Sequence, residues 1–129
     1  MEQDYQIHDI RSAAILTTGY VAGTVLNYSN ANPALRNQLN LLVKFTIGSL
    51  TDARIKVEFS HDGSTYFQDT FELISGTTST LSLGEYVLTG TGNYVISIPI
   101  KFSYIKVSAK GTGTVTSSSL AIQGIVGTV

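Results

Sequence analysis

Residues 53 to 67 read Ala-Arg-Ile-Lys-Val-Glu-Phe-Ser-His-Asp-Gly-Ser-Thr-Tyr-Phe. Ala53, Ile55, Val57 and Phe59 alternate with Arg54, Lys56, Glu58 and Ser60, the period of two that puts one face of a strand on a core and the other in water. Asp62-Gly63 follows at once, and glycine accepts the positive φ that a chain reversal requires. The segment therefore predicts one arm of an antiparallel hairpin whose charged face is solvated.

The same pattern recurs on both sides. Ala13 to Thr18 and Tyr20 to Leu26 predict an early β segment bent at Gly19 and Gly23. Leu41, Val43, Phe45 and Ile47 alternate with Leu42, Lys44 and Thr46, and Gly48-Ser49 closes that strand. Phe67 to Leu73 follows the Asp-Gly reversal, and Thr78 to Leu83 and Tyr86 to Leu88 flank Gly84-Glu85, read as a second tight turn. Tyr94, Ile96, Ile98 and Ile100 share one face of a strand that Pro99 pushes toward an edge or a bulge. Ile105, Val107 and Ala109 form another such face, and a last strand runs from Val115 to Val126. Gly90-Thr91-Gly92 and Gly111-Thr112-Gly113 read as two hairpin turns. Only Asn32-Pro33-Ala34-Leu35-Arg36-Asn37-Gln38 suits a helical turn, with Pro33 at its first position and Asn32 as cap, against the competing reading of an irregular loop. The expectation is an all-β chain, an antiparallel β-sandwich of jelly-roll type with about eight strands.

At 129 residues the chain fits one domain with a core of its own. Residues 1-11 read as a polar N-terminal arm and residues 12-129 as the sandwich domain. Charged residues make up 13%, about half the usual share of roughly 25%. A surface so poor in charge resists contact weakly, and this favours a protein that works packed against neighbours in an oligomer.

Composition also narrows the function. The net charge is −1 and no run of Lys or Arg tracks a phosphate backbone, so direct nucleic-acid binding is not expected. No cysteine is present to supply a disulfide, a thiolate nucleophile or a thiolate metal ligand. Met-Glu-Gln-Asp-Tyr-Gln is acidic and polar where a cleaved signal would be basic and then apolar, and the apolar runs fall far short of the ~20 residues of a membrane helix, so a soluble, unexported protein is expected.

Candidate chemistry is sparse. The available bases are His8, in the polar N-terminal segment, and His61, at a hairpin tip, neither in an obvious concave site, so both read as solvated surface histidines. Asp62 with Asp69 or Glu72, helped by Ser60 and Ser64, has the oxygens for calcium but matches no loop motif, and Asp62 already serves the turn. Glu58, Asp69 and Glu72 do not define a carboxylate pair for glycoside cleavage. Asn27-Tyr28-Ser29 fits a glycosylation triplet but has no export signal beside it, so it is set aside. Tyr20, Tyr28, Tyr66, Tyr86, Tyr94 and Tyr104 read as sheet residues; as a group they would otherwise offer a stacking platform. No catalytic, cofactor-binding or metal residue is assigned, no cofactor is expected, and the chain is read as not an enzyme.

Two segments carry a resemblance: Lys56-Val57-Glu58-Phe59-Ser60-His61-Asp62-Gly63-Ser64-Thr65-Tyr66-Phe67 and Tyr104-Ile105-Lys106-Val107-Ser108-Ala109-Lys110-Gly111-Thr112-Gly113-Thr114. Together they resemble small β-sandwich virion structural proteins of tailed bacteriophages. The resemblance implies an auxiliary, or decoration, capsid protein that stabilises the head by protein-protein contacts, with the major capsid protein or other virion proteins as partners and the virion, assembled in the host cytoplasm, as location. A small neck or tail component is the nearest variant of this reading. The alternative from another class is a glycan-binding adhesion module, in which Tyr66 and Asp62 form a shallow site. Such modules usually place Trp where Tyr66 stands.

Overall fold

The computed structural model describes residues 7–27 and 38–127. It has twelve strands, which we number in chain order: β1 (Ile7–Ala14), β2 (Val21–Ala22), β3 (Leu26–Asn27), β4 (Gln38–Thr46), β5 (Leu50–Ser60), β6 (Phe67–Gln68), β7 (Thr70–Ser75), β8 (Thr78–Leu83), β9 (Glu85–Leu88), β10 (Gly92–Pro99), β11 (Tyr104–Gly113) and β12 (Ser119–Gly127). Among the described residues there is no helix. The expected helical turn at 32–38 lies outside them apart from Gln38, which opens β4.

Every pairing is antiparallel. The first sheet has the order β1-β12-β4-β10. In the second, β11 and β5 form the centre, with β2 and β3 on the outer side of β11 and with β6 and β9 on the outer side of β5. The periodicity read from sequence sets the inward faces. Leu39, Leu41, Val43 and Phe45 of β4 meet Leu120, Ile122 and Val126 of β12 and Ile98 of β10 in one buried cluster with Ala53, Ile55, Val57 and Phe59 of β5 and Ile105, Val107 and Ala109 of β11. The protein is an antiparallel β-sandwich, as expected. Pro99 ends β10, which is an edge of the first sheet, because a residue without an N–H is tolerated there.

Six expectations need correction. Twelve strands replace about eight, because several edge elements are only two to six residues long. The arm does not extend to residue 11: Ile7–Ala14 is a strand paired with β12, and Ile10 is buried. An edge strand needs few apolar residues, so its polar composition hid it. Residues 1–6 lie outside the described chain. The last strand opens at Ser119 rather than Val115, and as β12 it is paired on both sides, with β1 and β4. Ser60 is buried rather than solvated, because its hydroxyl is consumed by the turn that follows. Neither Gly-Thr-Gly is a hairpin. Gly90–Gly92 carries the chain from β9 in the second sheet to β10 in the first, and Gly111–Gly113 ends β11 before the crossing to β12. Gly84-Glu85 is not a tight turn either, and it sits where the chain re-enters the second sheet from β8.

Candidate interaction surfaces

The feature that sequence reading missed is built at the β5 edge. β6 pairs with Glu58 and Phe59, and β9 pairs with residues 53 to 56, so the two occupy the same edge in succession. Between them the chain leaves the sheet, runs out as β7, reverses at Gly76 with φ +63° and returns as β8. The result is a two-stranded finger about 20 Å long, taking six residues per strand at ~3.3 Å each. Its neck is held by two backbone bonds: Asp69 N–H donates to Val57 O at 3.0 Å, and Gly84 N–H donates to Asp69 O at 2.9 Å. Lys101 also pairs with the Asp69 carboxylate.

Residues directly opposite one another share a face, so the register divides the finger's side chains. Phe71 and Leu73 stand on one face. Ile74, Leu81 and Leu83 stand on the other, with Glu72 directly opposite Leu81. These are exposed by 46, 59, 71, 71 and 65% respectively. Glu72 is the finger's single ionisable group and has no ion pair among the described residues. A two-stranded ribbon without a covering layer is marginal in water, and contiguous exposed apolar side chains mark a contact site.

The outer faces of the two sheets differ in kind. On the second sheet, Arg54 pairs with Asp52 at 3.2 Å and Glu85 at 3.6 Å, and Lys56 pairs with Glu58 at 3.7 Å. Lys56 and Lys110 lie 4.6 and 4.8 Å from the Tyr20 ring, and Lys106 lies 4.1 Å from the Tyr66 ring. The Tyr20 hydroxyl donates to Glu85, and burial, reinforced by that bond, pushes its pKa up. Arg54 holds the Asp52 carboxyl below its usual range, chiefly through the side-chain hydrogen bond. Arg54, Lys56, Asp52, Glu58 and Glu85 are thus paired with one another, while Lys106 and Lys110 rest on tyrosine rings.

On the first sheet the outward row Asp9, Gln123, Leu42 and Val95 runs straight across all four strands, beside the row Ile7, Ile125, Asn40 and Ser97. Two depressions adjoin there. One of about 290 Å³ is lined by Asp9, Arg11, Leu42, Lys44, Ala121 and Gln123. The other, of about 150 Å³, shares Leu42 and Lys44 and adds Tyr94 and Val95. Arg11 is spent on the carbonyls of Leu120, Ala14 and Ile15 at 3.0, 3.3 and 3.0 Å. Lys44 is exposed and has no ion pair among the described residues.

The residues weighed for chemistry are dispersed. Asp62 accepts from the N–H groups of Ser64 at 2.8 Å and Thr65 at 3.0 Å and from the Ser60 hydroxyl at 2.9 Å. Those bonds, led by Thr65 and Ser64, pull its pKa down to about 2. Ser60 in turn accepts from the N–H groups of Asp62 and Gly63, and Gly63 takes φ +79°. Asp62 is thus the organiser of its loop. Asp69 is at the finger's neck and Glu72 is on the finger, and among the described residues no three His, Asp or Glu gather as a metal site. His8 is in β1 opposite Gly124, and His61 is exposed, its ring tilted 62° to that of Phe102 at 6.5 Å between centroids. Tyr66 has Lys106 over its ring, Tyr86 and Tyr94 pack partly against the core, and burial raises the Tyr86 pKa. Tyr28 lies outside the described residues. No protein-family model and no curated protein matches the chain.

Proposed function

We propose that this chain is a non-enzymatic structural protein of a virus particle, an auxiliary (decoration) capsid protein of a tailed bacteriophage that stabilises the head through protein-protein contacts. The observation that carries the reading is the finger: five exposed large apolar side chains on an uncovered two-stranded ribbon, held out from a rigid sandwich by a fixed neck. A structure of this kind is completed only when a neighbour covers it. The virion setting comes from the resemblance of residues 56–67 and 104–114 to small phage β-sandwich proteins.

The sandwich suits the task physically. Its core is formed by both sheets, so the base of the finger is stiff, and a stiff base reduces the ordering cost of each contact. The test is co-sedimentation with empty heads of the source phage. Saturable binding supports the reading, and a chain that stays in the supernatant at every concentration overturns it.

A further inference from the structure

We infer that the Ile74–Leu81–Leu83 face of the finger seats on the outer face of the first sheet of a second copy of this chain, a head-to-tail contact. The inference rests on the assembly reading above and adds the partner and the geometry. Among the described residues the five most exposed large hydrophobic side chains are Ile74 at 71%, Leu81 at 71%, Val95 at 66%, Leu83 at 65% and Ile7 at 61%. Three belong to one face of the finger, and the other two belong to the outer face of the first sheet. These five thus fall on two surfaces, while Leu73 on the finger's other face, Ile15 and Phe67 follow at 59, 55 and 55%.

Shape and charge match as well. The finger face presents three exposed branched side chains beside one carboxylate. The sheet face has depressions of about 290 and 150 Å³ that share Leu42 and Lys44. Glu72 is the finger's one charge, and the larger depression carries Arg11 and Lys44 against Asp9, whose carboxylate accepts from the Gln123 amide at 2.9 Å, so the cations outnumber the anion there and Lys44 lacks an ion pair among the described residues. Seating Leu81 in a depression brings the opposed Glu72 toward Lys44, where each supplies the partner the other lacks. The outer face of the second sheet is a poorer acceptor, because its Arg54, Lys56, Glu58 and Glu85 are already paired, its Lys106 and Lys110 rest on tyrosine rings, and all of these charges would have to be desolvated. Since donor and acceptor are different patches, the contact is heterologous and repeats from copy to copy, closing into a ring or growing as an open array.

The test is mass by light scattering over a concentration series, with circular dichroism confirming that each variant folds. The wild-type chain is expected to rise above its monomer mass of 13.8 kDa as concentration increases. Leu81→Asp on the finger and Val95→Asp on the sheet change only exposed side chains, and each is expected to raise the midpoint concentration at least about tenfold. Mixing the two variants is decisive. A head-to-tail contact leaves one intact finger and one intact acceptor, so the mixture forms a one-to-one pair of twice the monomer mass and nothing larger. Glu72→Lys and Lys44→Glu each weaken association, and the two together in one chain restore it. A chain that stays monomeric, or an oligomer indifferent to Val95→Asp, overturns the inference. Binding to heads by a monomeric chain would remove this contact while leaving the proposed function standing, and self-association without binding to heads would do the reverse.

Discussion

The amide of Gly84 donates to the carbonyl of Asp69 at 2.9 Å, and this bond closes the neck of the finger. A Cβ on Gly84 would stand 2.9 Å from that carbonyl oxygen and 3.3 Å from the Phe71 ring, so no side chain fits without moving the backbone. Gly84→Ala is therefore expected to loosen the finger while leaving the sandwich folded. Limited proteolysis checks it: cleavage within residues 70–83 speeds up, and the thermal midpoint of the sandwich changes little, since the damage is outside the core.

Core and finger respond oppositely to truncation. Ile55 is wholly buried between the sheets, and Ile55→Ala leaves a cavity expected to cost about 2–5 kcal/mol in urea unfolding. Leu81→Ala removes an exposed side chain and is expected to stay within about 0.5 kcal/mol of the parent. Equal losses at the two sites would contradict the assignment of the finger to a contact role.

Asp62 makes stability depend on pH in the acid range. Its folded pKa of about 2 lies below the unfolded carboxylate value of about 4, so the folded state favours the ionised form. The contribution is fully present above the unfolded value and is lost as pH falls through the folded one. Asp62→Ala is expected to lower Tm by a constant amount from neutral pH down to about 4, and the gap to wild type narrows as pH approaches about 2. A gap that persists unchanged at the acid end would show that the carboxylate does not order residues 60–65.

Much of the sandwich was legible in the sequence because burial follows a period of two. The alternation puts Ala53, Ile55, Val57 and Phe59, Leu41, Val43 and Phe45, and Ile105, Val107 and Ala109 each on one face, and all are buried. Connectivity was harder. A glycine-rich reversal looks the same whether the next strand pairs with the last or crosses to the opposite sheet, and both Gly-Thr-Gly segments cross. The finger was invisible for a related reason. Phe71 and Leu73, like Leu81 and Leu83, alternate with polar residues just as half-buried strands do, and alternation does not record whether the chain's own core or a neighbour does the covering. The one local signal, Ser75-Gly76 between two such runs, marks the fingertip.

The central claim is that the finger is completed by a neighbour, and hydrogen exchange of residues 70–83 in the free chain and in its assembled or head-bound form tests it most directly. The account predicts fast exchange across β7 and β8 in the free chain, at least about tenfold slower exchange there on assembly, and little change at β5 and β11. Equal finger exchange in both forms, or protection confined to other elements, would contradict it.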